Sequence, residues 1–206
     1  MSKTPRLVPM KPERLDDEQR LLYHAVLASP RGQGPTRRFL LREDGTLAGP
    51  FDAWLRSPVL GGLLERTGMA LRDSIDLAPA PRELAILVVA RAWNADFEWW
   101  VHSMIAAGQG VPVDVIDAIA HRRAPETDDA VLIAAHDVAT EIVYDRRLQD
   151  STAARAKDVL GERALVELVT LVGFYQLVSG VLESFHPPGP SDDLPVVGPP
   201  KLDGAG

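Results

Sequence analysis

Three side chains suited to proton transfer, Glu83, Glu98 and His102, lie on one stretch of this chain. Glu98 and His102 are four residues apart, so on a helix they share one face. Glu83 lies in a run that is apolar on every side, which is typical of a helix buried in a core. A buried carboxyl group needs a partner or a purpose. Two acids and an imidazole that meet would predict acid–base chemistry.

The three side chains can meet only if the chain turns between the two acids. On one straight helix, Glu83 and Glu98 would lie about 22 Å apart along the axis. Asn94 and Asp96 are good turn and capping residues. We therefore expect one helix to end near Trp93 and a second to begin at Asn94 or Asp96.

The expected surroundings of the two acids differ. Glu98 would lie in the first turn of the second helix, where the macrodipole favours a carboxylate. Burial among apolar neighbours should raise the pKa of Glu83. When the pKa values of two carboxyl groups are separated in this way, one group can act as a general acid and the other as a general base. His102, with an ordinary pKa close to neutrality, suits the same work.

Neighbouring cationic and aromatic side chains are candidates for substrate binding. Arg82 and Arg91 carry the guanidinium groups that clamp anionic substrates, although salt bridges within the protein would use them equally well. Trp99 and Trp100 point in different directions on a helix. Packing in the core or at an interface is the simplest role for Trp99. We also take Trp99 as a candidate substrate contact.

The acids and the histidine also have a purely structural interpretation. A Glu–His pair at this spacing is commonly a surface contact worth a few tenths of a kcal/mol. Arg82 and Glu83 would equally suit a helix start that pairs with Arg91. Glu98 and His102 would make two metal ligands, which are too few, and no third follows at metal-site spacing. We expect no metal and no cofactor.

Composition limits the partners and the compartment. The 206 residues carry a net charge of −7 and no dense basic run, which argues against nucleic acid and anionic membranes. No window approaches about 18 consecutive apolar residues, so we expect no membrane span. Residues 1–15 lack the apolar core of a signal peptide, and we expect a cytoplasmic protein. The absence of cysteine excludes disulfides and thiol chemistry.

Apolar periodicity predicts an all-α fold without a series of strands. The predicted helices cover residues 16–29, 81–93, 112–121 and 164–185, and others run from Asn94 or Asp96 to near Gly108 or Gly110, from Thr127 onward, and from Ser151 to 161. A further helix begins at Pro58 and should bury a stripe formed by Leu60, Leu63, Leu64, Thr67 and Leu71. Asp44-Gly45 marks a possible small hairpin. We expect an extended arm at 1–15, one helical domain at 16–186, and a Pro/Gly-rich tail at 187–206.

The chain resembles the carboxymuconolactone decarboxylase family, which shares its fold with alkylhydroperoxidase-D-like proteins. The similar segments are 44–58, 82–87, 97–102, 161–169 and 173–175, and they occur in the order that the family has. The resemblance covers the chain from about residue 10 to 190. It implies an all-helical fold that assembles as trimers or hexamers, with an active site between helices near the subunit interface.

The resemblance also assigns expectations to single residues. In the peroxidase branch a buried Glu, a Cys-x-x-Cys and a later His form a proton relay, and Glu83 and His102 match that Glu and that His. The two cysteine positions correspond to Ala95 and Glu98, so thiol peroxidase activity is not expected here. The decarboxylase branch, like this chain, has a Glu four residues before the His.

These observations lead to two functional hypotheses. The first is a cofactor-independent lyase that decarboxylates a small carboxylated lactone or keto acid, with isomerisation or hydrolysis nearly as plausible. In it His102 donates the proton, Glu98 orients it, and Glu83 acts as buried acid or relay. The second is a family member without catalysis that serves in binding or assembly.

Overall fold

The computed structural model describes residues 4–189, and 71% of these described residues are helical, with no strand among them. The predicted all-α class is confirmed. The α-helices in this range are α1 Asp17–Ala28, α2 Pro30–Gln33, α3 Pro50–Trp54, α4 Pro58–Asp73, α5 Pro79–Trp93, α6 Asp96–Gly108, α7 Val113–Ala120, α8 Ala130–Thr140, α9 Asp150–Leu160 and α10 Glu162–Phe185. Short 3-10 turns lie at Pro12–Arg14 and Pro35–Phe39, and a π-helical turn follows α8 at Glu141–Asp145.

The described chain divides into two compact units. One comprises residues 4–69 and 180–189, and the other comprises residues 70–179. Glu83, Glu98 and His102 all belong to the second unit. Most of the expected C-terminal tail, residues 190–206, and the first three residues of the expected arm lie outside the described residues.

The first unit opens with a helix whose start follows directly from its sequence. Asp16 caps α1 by accepting a hydrogen bond from the Gln19 backbone, while the Gln19 side chain accepts one from the Asp16 backbone. The possible hairpin at Asp44-Gly45 is reduced to an isolated antiparallel bridge between Leu41 and Leu47.

Helix α4 begins after Ser57 as predicted, but it buries a different face from the one expected. The expected buried stripe was Leu60, Leu63, Leu64, Thr67 and Leu71, of which Leu60 and Leu63 are 53% and 52% exposed and Leu71 is buried. Gly61 and Glu65 are buried instead. A Cβ at Gly61 would lie 2.7 Å from a Leu22 methyl and 2.8 Å from the Trp54 carbonyl, so α4 packs through its small residues.

The second unit is built around α5, and the prediction of a core helix there is confirmed. Every residue from Pro81 to Ala90 is buried. Helices α6, α7 and α8 pack against α5, and α9 packs against α8. Because α5 is covered on all sides, any charged group in its centre must find its partners inside the protein.

Several helix ends differ from the predicted caps. Asn94 adopts the left-handed conformation that ends α5, and Ala95 rather than Asn94 or Asp96 precedes the first turn of α6. Asp129, not Thr127, caps α8 through its side chain. Helix α9 begins one residue before Ser151.

Helix α10 is long and apolar enough to cross a membrane by length and composition alone, with a mean hydropathy of 1.8 in its most apolar window. No sequence run was expected to qualify. A core helix of a soluble protein passes the same test, so this finding is weak support for a membrane span.

Candidate functional site

A tight turn between α5 and α6 brings the three candidate residues together, as the sequence predicted. Asn94 has a φ of 51°, and the backbone N–H of Ala95 returns to the carbonyl of Ala90. This conformation reverses the chain within two residues. Glu83 near the start of α5 thereby meets His102 in the middle of α6.

His102 lies between the two acids and contacts both. Its Nδ1 is 2.7 Å from Glu83 Oε2, and its Nε2 is 3.1 Å from Glu98 Oε1. The side chains are 12%, 4% and 5% exposed for His102, Glu83 and Glu98. Both ring nitrogens donate to carboxylates when the imidazole is protonated, so the arrangement fits an imidazolium ion.

The charged state of Glu83 differs from the prediction. Burial raises the pKa of Glu83, but the charges and hydrogen bonds of His102 and Arg82 outweigh it and hold the pKa below its ordinary value. The expectation of a raised pKa was therefore wrong. The apolar sequence around Glu83 correctly predicted that this side chain is buried. It did not show the two cations, His102 and Arg82, that stabilise the buried carboxylate.

His102 is also not poised near neutrality. Burial lowers the pKa of His102, but Glu83 and then Glu98 overcome this and raise it to about 9. His102 is consequently an imidazolium at neutral pH. Between pH 7 and 8, His102 is therefore a protonated general acid that lies between the carboxylates of Glu83 and Glu98.

Arg82 extends this row of charges into the core rather than toward a substrate. Its Nε donates to Glu83 Oε1 at 3.2 Å, and its Nη1 donates to the Arg72 carbonyl in the last turn of α4. Arg82 is only 8% exposed. The salt-bridge role considered for it in the sequence is the one that the structure shows.

Of the other two substrate-binding candidates, Arg91 lies away from Glu83, and Trp99 is buried next to Glu98 in the sequence of α6. Arg91 donates to the Ala120 carbonyl at 2.6 Å and to the Asn94 side chain, about 12 Å along α5 from Glu83. These contacts join the ends of α5 and α7. Trp99 is 5% exposed, and its indole Nε1 is buried without a hydrogen-bond partner among the described residues.

Tyr175 on α10 is a neighbour of His102 that residue spacing did not indicate. The two rings meet edge to face, with centroids 5.2 Å apart at 84°. Tyr175 is 9% exposed. Only the similar segment 173–175 of the family resemblance pointed to this part of the chain.

The arrangement of the site suits proton transfer at His102 better than metal binding. Across residues 4–189, no group of three or more His, Asp or Glu side chains is placed to hold a metal ion. The two carboxylates instead lie at opposite nitrogens of one imidazole. The geometry can hold and release one proton at His102, with Glu83 fixed by Arg82 behind it.

Comparison with known proteins adds no assignment. No family model matches the chain, and no curated protein matches it significantly.

Proposed function

We propose that this chain is a cofactor-independent acid–base enzyme similar to carboxymuconolactone decarboxylase, acting on a small carboxylated lactone or keto acid. The observation that carries the proposal is the buried row Glu83–His102–Glu98, with both imidazole nitrogens on carboxylates. The ordered segments of family resemblance support it. The absence of cysteine removes thiol peroxidase chemistry from consideration.

His102 supplies the proton in this mechanism. Loss of carbon dioxide breaks a carbon–carbon bond and leaves its electron pair on an enolate or carbanion. The Nε2–H of His102 then protonates that carbon, and solvent returns the proton to the imidazole. An acid with a pKa of about 9 is fully loaded at neutral pH yet still transfers its proton to a strongly basic carbanion.

The two acids have unequal roles in this scheme. Glu83 is held by Arg82 on one oxygen and by His102 on the other, so it fixes the ring. Glu98 has only His102 as a partner among the described residues and lies in the first turn of α6. Glu98 is therefore the carboxylate that must swing away to open Nε2 to substrate.

A substrate screen tests the proposal. Carboxylated lactones and keto acids incubated with the purified chain should release carbon dioxide, which a coupled or isotopic assay measures. We expect kcat/KM to stay level around neutral pH and to fall about tenfold per pH unit above about pH 9, as His102 loses its proton. A level rate beyond pH 10, or no carbon dioxide from any compound, would contradict the proposal.

A second candidate is a non-catalytic assembly protein, and the unexpected outer face of α4 favours it. Val59, Leu60 and Leu63 are 75%, 53% and 52% exposed on that face. Contiguous exposed apolar side chains mark protein contact sites. The same face would also suit the homo-oligomer, trimer or hexamer, that the resemblance implies for the enzyme, so turnover decides between the candidates.

We expect the double variant Leu60→Glu with Leu63→Glu to weaken self-association by at least about tenfold per residue, since each leucine loses roughly 1.5–3 kcal/mol of burial. Sedimentation velocity should show an oligomer for the natural chain and a single chain for the variant. Val113→Glu, a change at a valine that is 75% exposed on α7, is the matched control. A natural chain that sediments as a monomer would contradict the assembly role.

A further inference from the structure

Glu83 is shared by two cations, one on each carboxylate oxygen. Oε2 lies 2.7 Å from His102 Nδ1, and Oε1 lies 3.2 Å from Arg82 Nε. Arg82 is held in turn by the Arg72 carbonyl, which belongs to the negative end of α4. The guanidinium thus has a fixed position behind the acid–histidine pair.

The proton between Glu83 and His102 can reside on either partner. It can charge both groups as carboxylate and imidazolium, or leave both neutral as carboxylic acid and imidazole. Burial by itself favours the neutral arrangement because charges lose their hydration. A neighbouring group must therefore favour the charged arrangement if His102 is to remain the acid.

Arg82 is placed to supply that preference. In the charged arrangement the row reads Arg82 positive, Glu83 negative, His102 positive and Glu98 negative, so every charge has an opposite neighbour. In the neutral arrangement Arg82 would be a buried cation beside an uncharged acid. Such an unpaired buried charge is costly.

We propose that Arg82 is a positioning residue that keeps the shared proton on His102 rather than on Glu83. This inference deepens the proposed function, since a proton on Glu83 would leave His102 unable to act as the acid. Arg82 acts through Glu83 and does not touch the substrate. The other groups that face His102 are Glu98 on its own helix and the ring of Tyr175 on α10.

The test is the location of the proton in Arg82→Met, which replaces the aliphatic stem of arginine by an unbranched apolar side chain and removes the charge. Histidine labelled with ¹⁵N in the ring reports whether Nδ1 carries a hydrogen, and the His102→Gln spectrum assigns the signal. Infrared spectroscopy reports a protonated carboxyl group. A Glu65→Gln background removes the carboxyl group of Glu65, whose pKa is raised by burial, so that any carboxylic acid band is not assigned to Glu65.

At neutral pH we expect Arg82→Met to lose the Nδ1–H signal and to gain a carboxylic acid band that the natural chain lacks. The pH midpoint for loss of the shared proton should not fall, because removing a cation makes the pair hold its proton more tightly. Arg82→Lys should keep the proton on His102. Arg163→Met, a change at an exposed arginine of the same unit, should alter neither signal.

Two results would overturn the inference. An unchanged spectrum in Arg82→Met would show that Arg82 does not locate the proton. A midpoint that falls toward the ordinary value of 6.5, without a carboxylic acid band, would show only a loosened and hydrated site. These measurements need no substrate, so their failure is distinct from failure of the carbon dioxide screen.

Discussion

Replacing His102 by glutamine is expected to lower kcat for the proposed decarboxylation by about 10²–10⁴-fold, the usual contribution of a positioned general acid. The glutamine amide nitrogen can still donate hydrogen bonds to a neighbouring carboxylate, but it cannot donate a proton to the carbanion. Initial rates of carbon dioxide release with a substrate from the screen measure the effect. KM should change much less than kcat, since the lost interaction exists only in the transition state.

The matched control for this variant is His121→Gln. His121 also pairs with an acid four residues away on its helix, at 3.4 Å from Asp117, but its side chain is 49% exposed. We expect no change in rate there. Circular dichroism of both variants verifies that they are folded, and full turnover by a folded His102→Gln would exclude His102 as the acid.

The candidate site was accessible from the sequence because its geometry is local. Spacing of four residues joins Glu98 to His102, and the turn at Asn94 joins both to Glu83. Each step depends on backbone rules that hold in any protein. The core position of α5 followed equally from its unbroken apolar run.

The protonation states of Glu83 and His102 could not be predicted from the sequence. They depend on contacts between residues that are distant in the sequence or that hydrophobic periodicity does not report. The direction of the Glu83 pKa shift is decided by His102 and Arg82 against burial, and periodicity reports burial alone. Tyr175, far along the chain, carries no spacing relation to His102. Pattern reasoning therefore finds which groups meet before it finds their charges.

The prediction of which face α4 buries was wrong for a different reason. Periodicity marked its leucines as the inner stripe, whereas Gly61 allows α4 to approach Leu22 and Trp54 so closely that no side chain fits between them. A small residue can thus select the packed face against the hydrophobic pattern. The sequence of a single helix does not contain the shape of its neighbours.

Glu83→Gln should destabilise the protein by about 3–5 kcal/mol, the cost of removing one partner from a buried ion pair. Arg82 and His102 would then share only Glu98 as a counter-charge among the described groups around the site. Chemical denaturation at neutral pH measures the change in free energy of unfolding. A second effect accompanies it, since His102 loses its principal source of attraction for a proton and its pKa should fall toward the ordinary value.

Glu65→Gln is the matched control because Glu65 is also a buried acid but lacks this compensation. Its Oε1 has no hydrogen-bond partner among the described residues, its ion pair with Arg31 is long at 3.4 Å, and burial raises its pKa despite Arg31. Burial opposes the charged form of Glu65, so an uncharged glutamine there removes little net stabilisation, and we expect a change below about 1 kcal/mol. If the two variants lose the same free energy of unfolding, the ion pairs of Glu83 do not stabilise the fold more than those of Glu65.

The pH dependence of the Glu83→Gln effect identifies its cause. The pKa of His102 is raised from 6.5 to about 9 on folding, so its contribution is complete below pH 6.5 and is lost as the pH rises through about 9. The pKa of Glu83 is lowered from 4.5, so the same interaction is lost again as the pH falls through that lowered value. The gap in unfolding free energy between the natural chain and Glu83→Gln should therefore be widest between about pH 4.5 and 6.5 and should narrow by pH 10. A gap that stays constant up to pH 10 would mean that Glu83 stabilises the fold through hydrogen bonding or Arg82 alone, and that His102 carries no proton for it to hold.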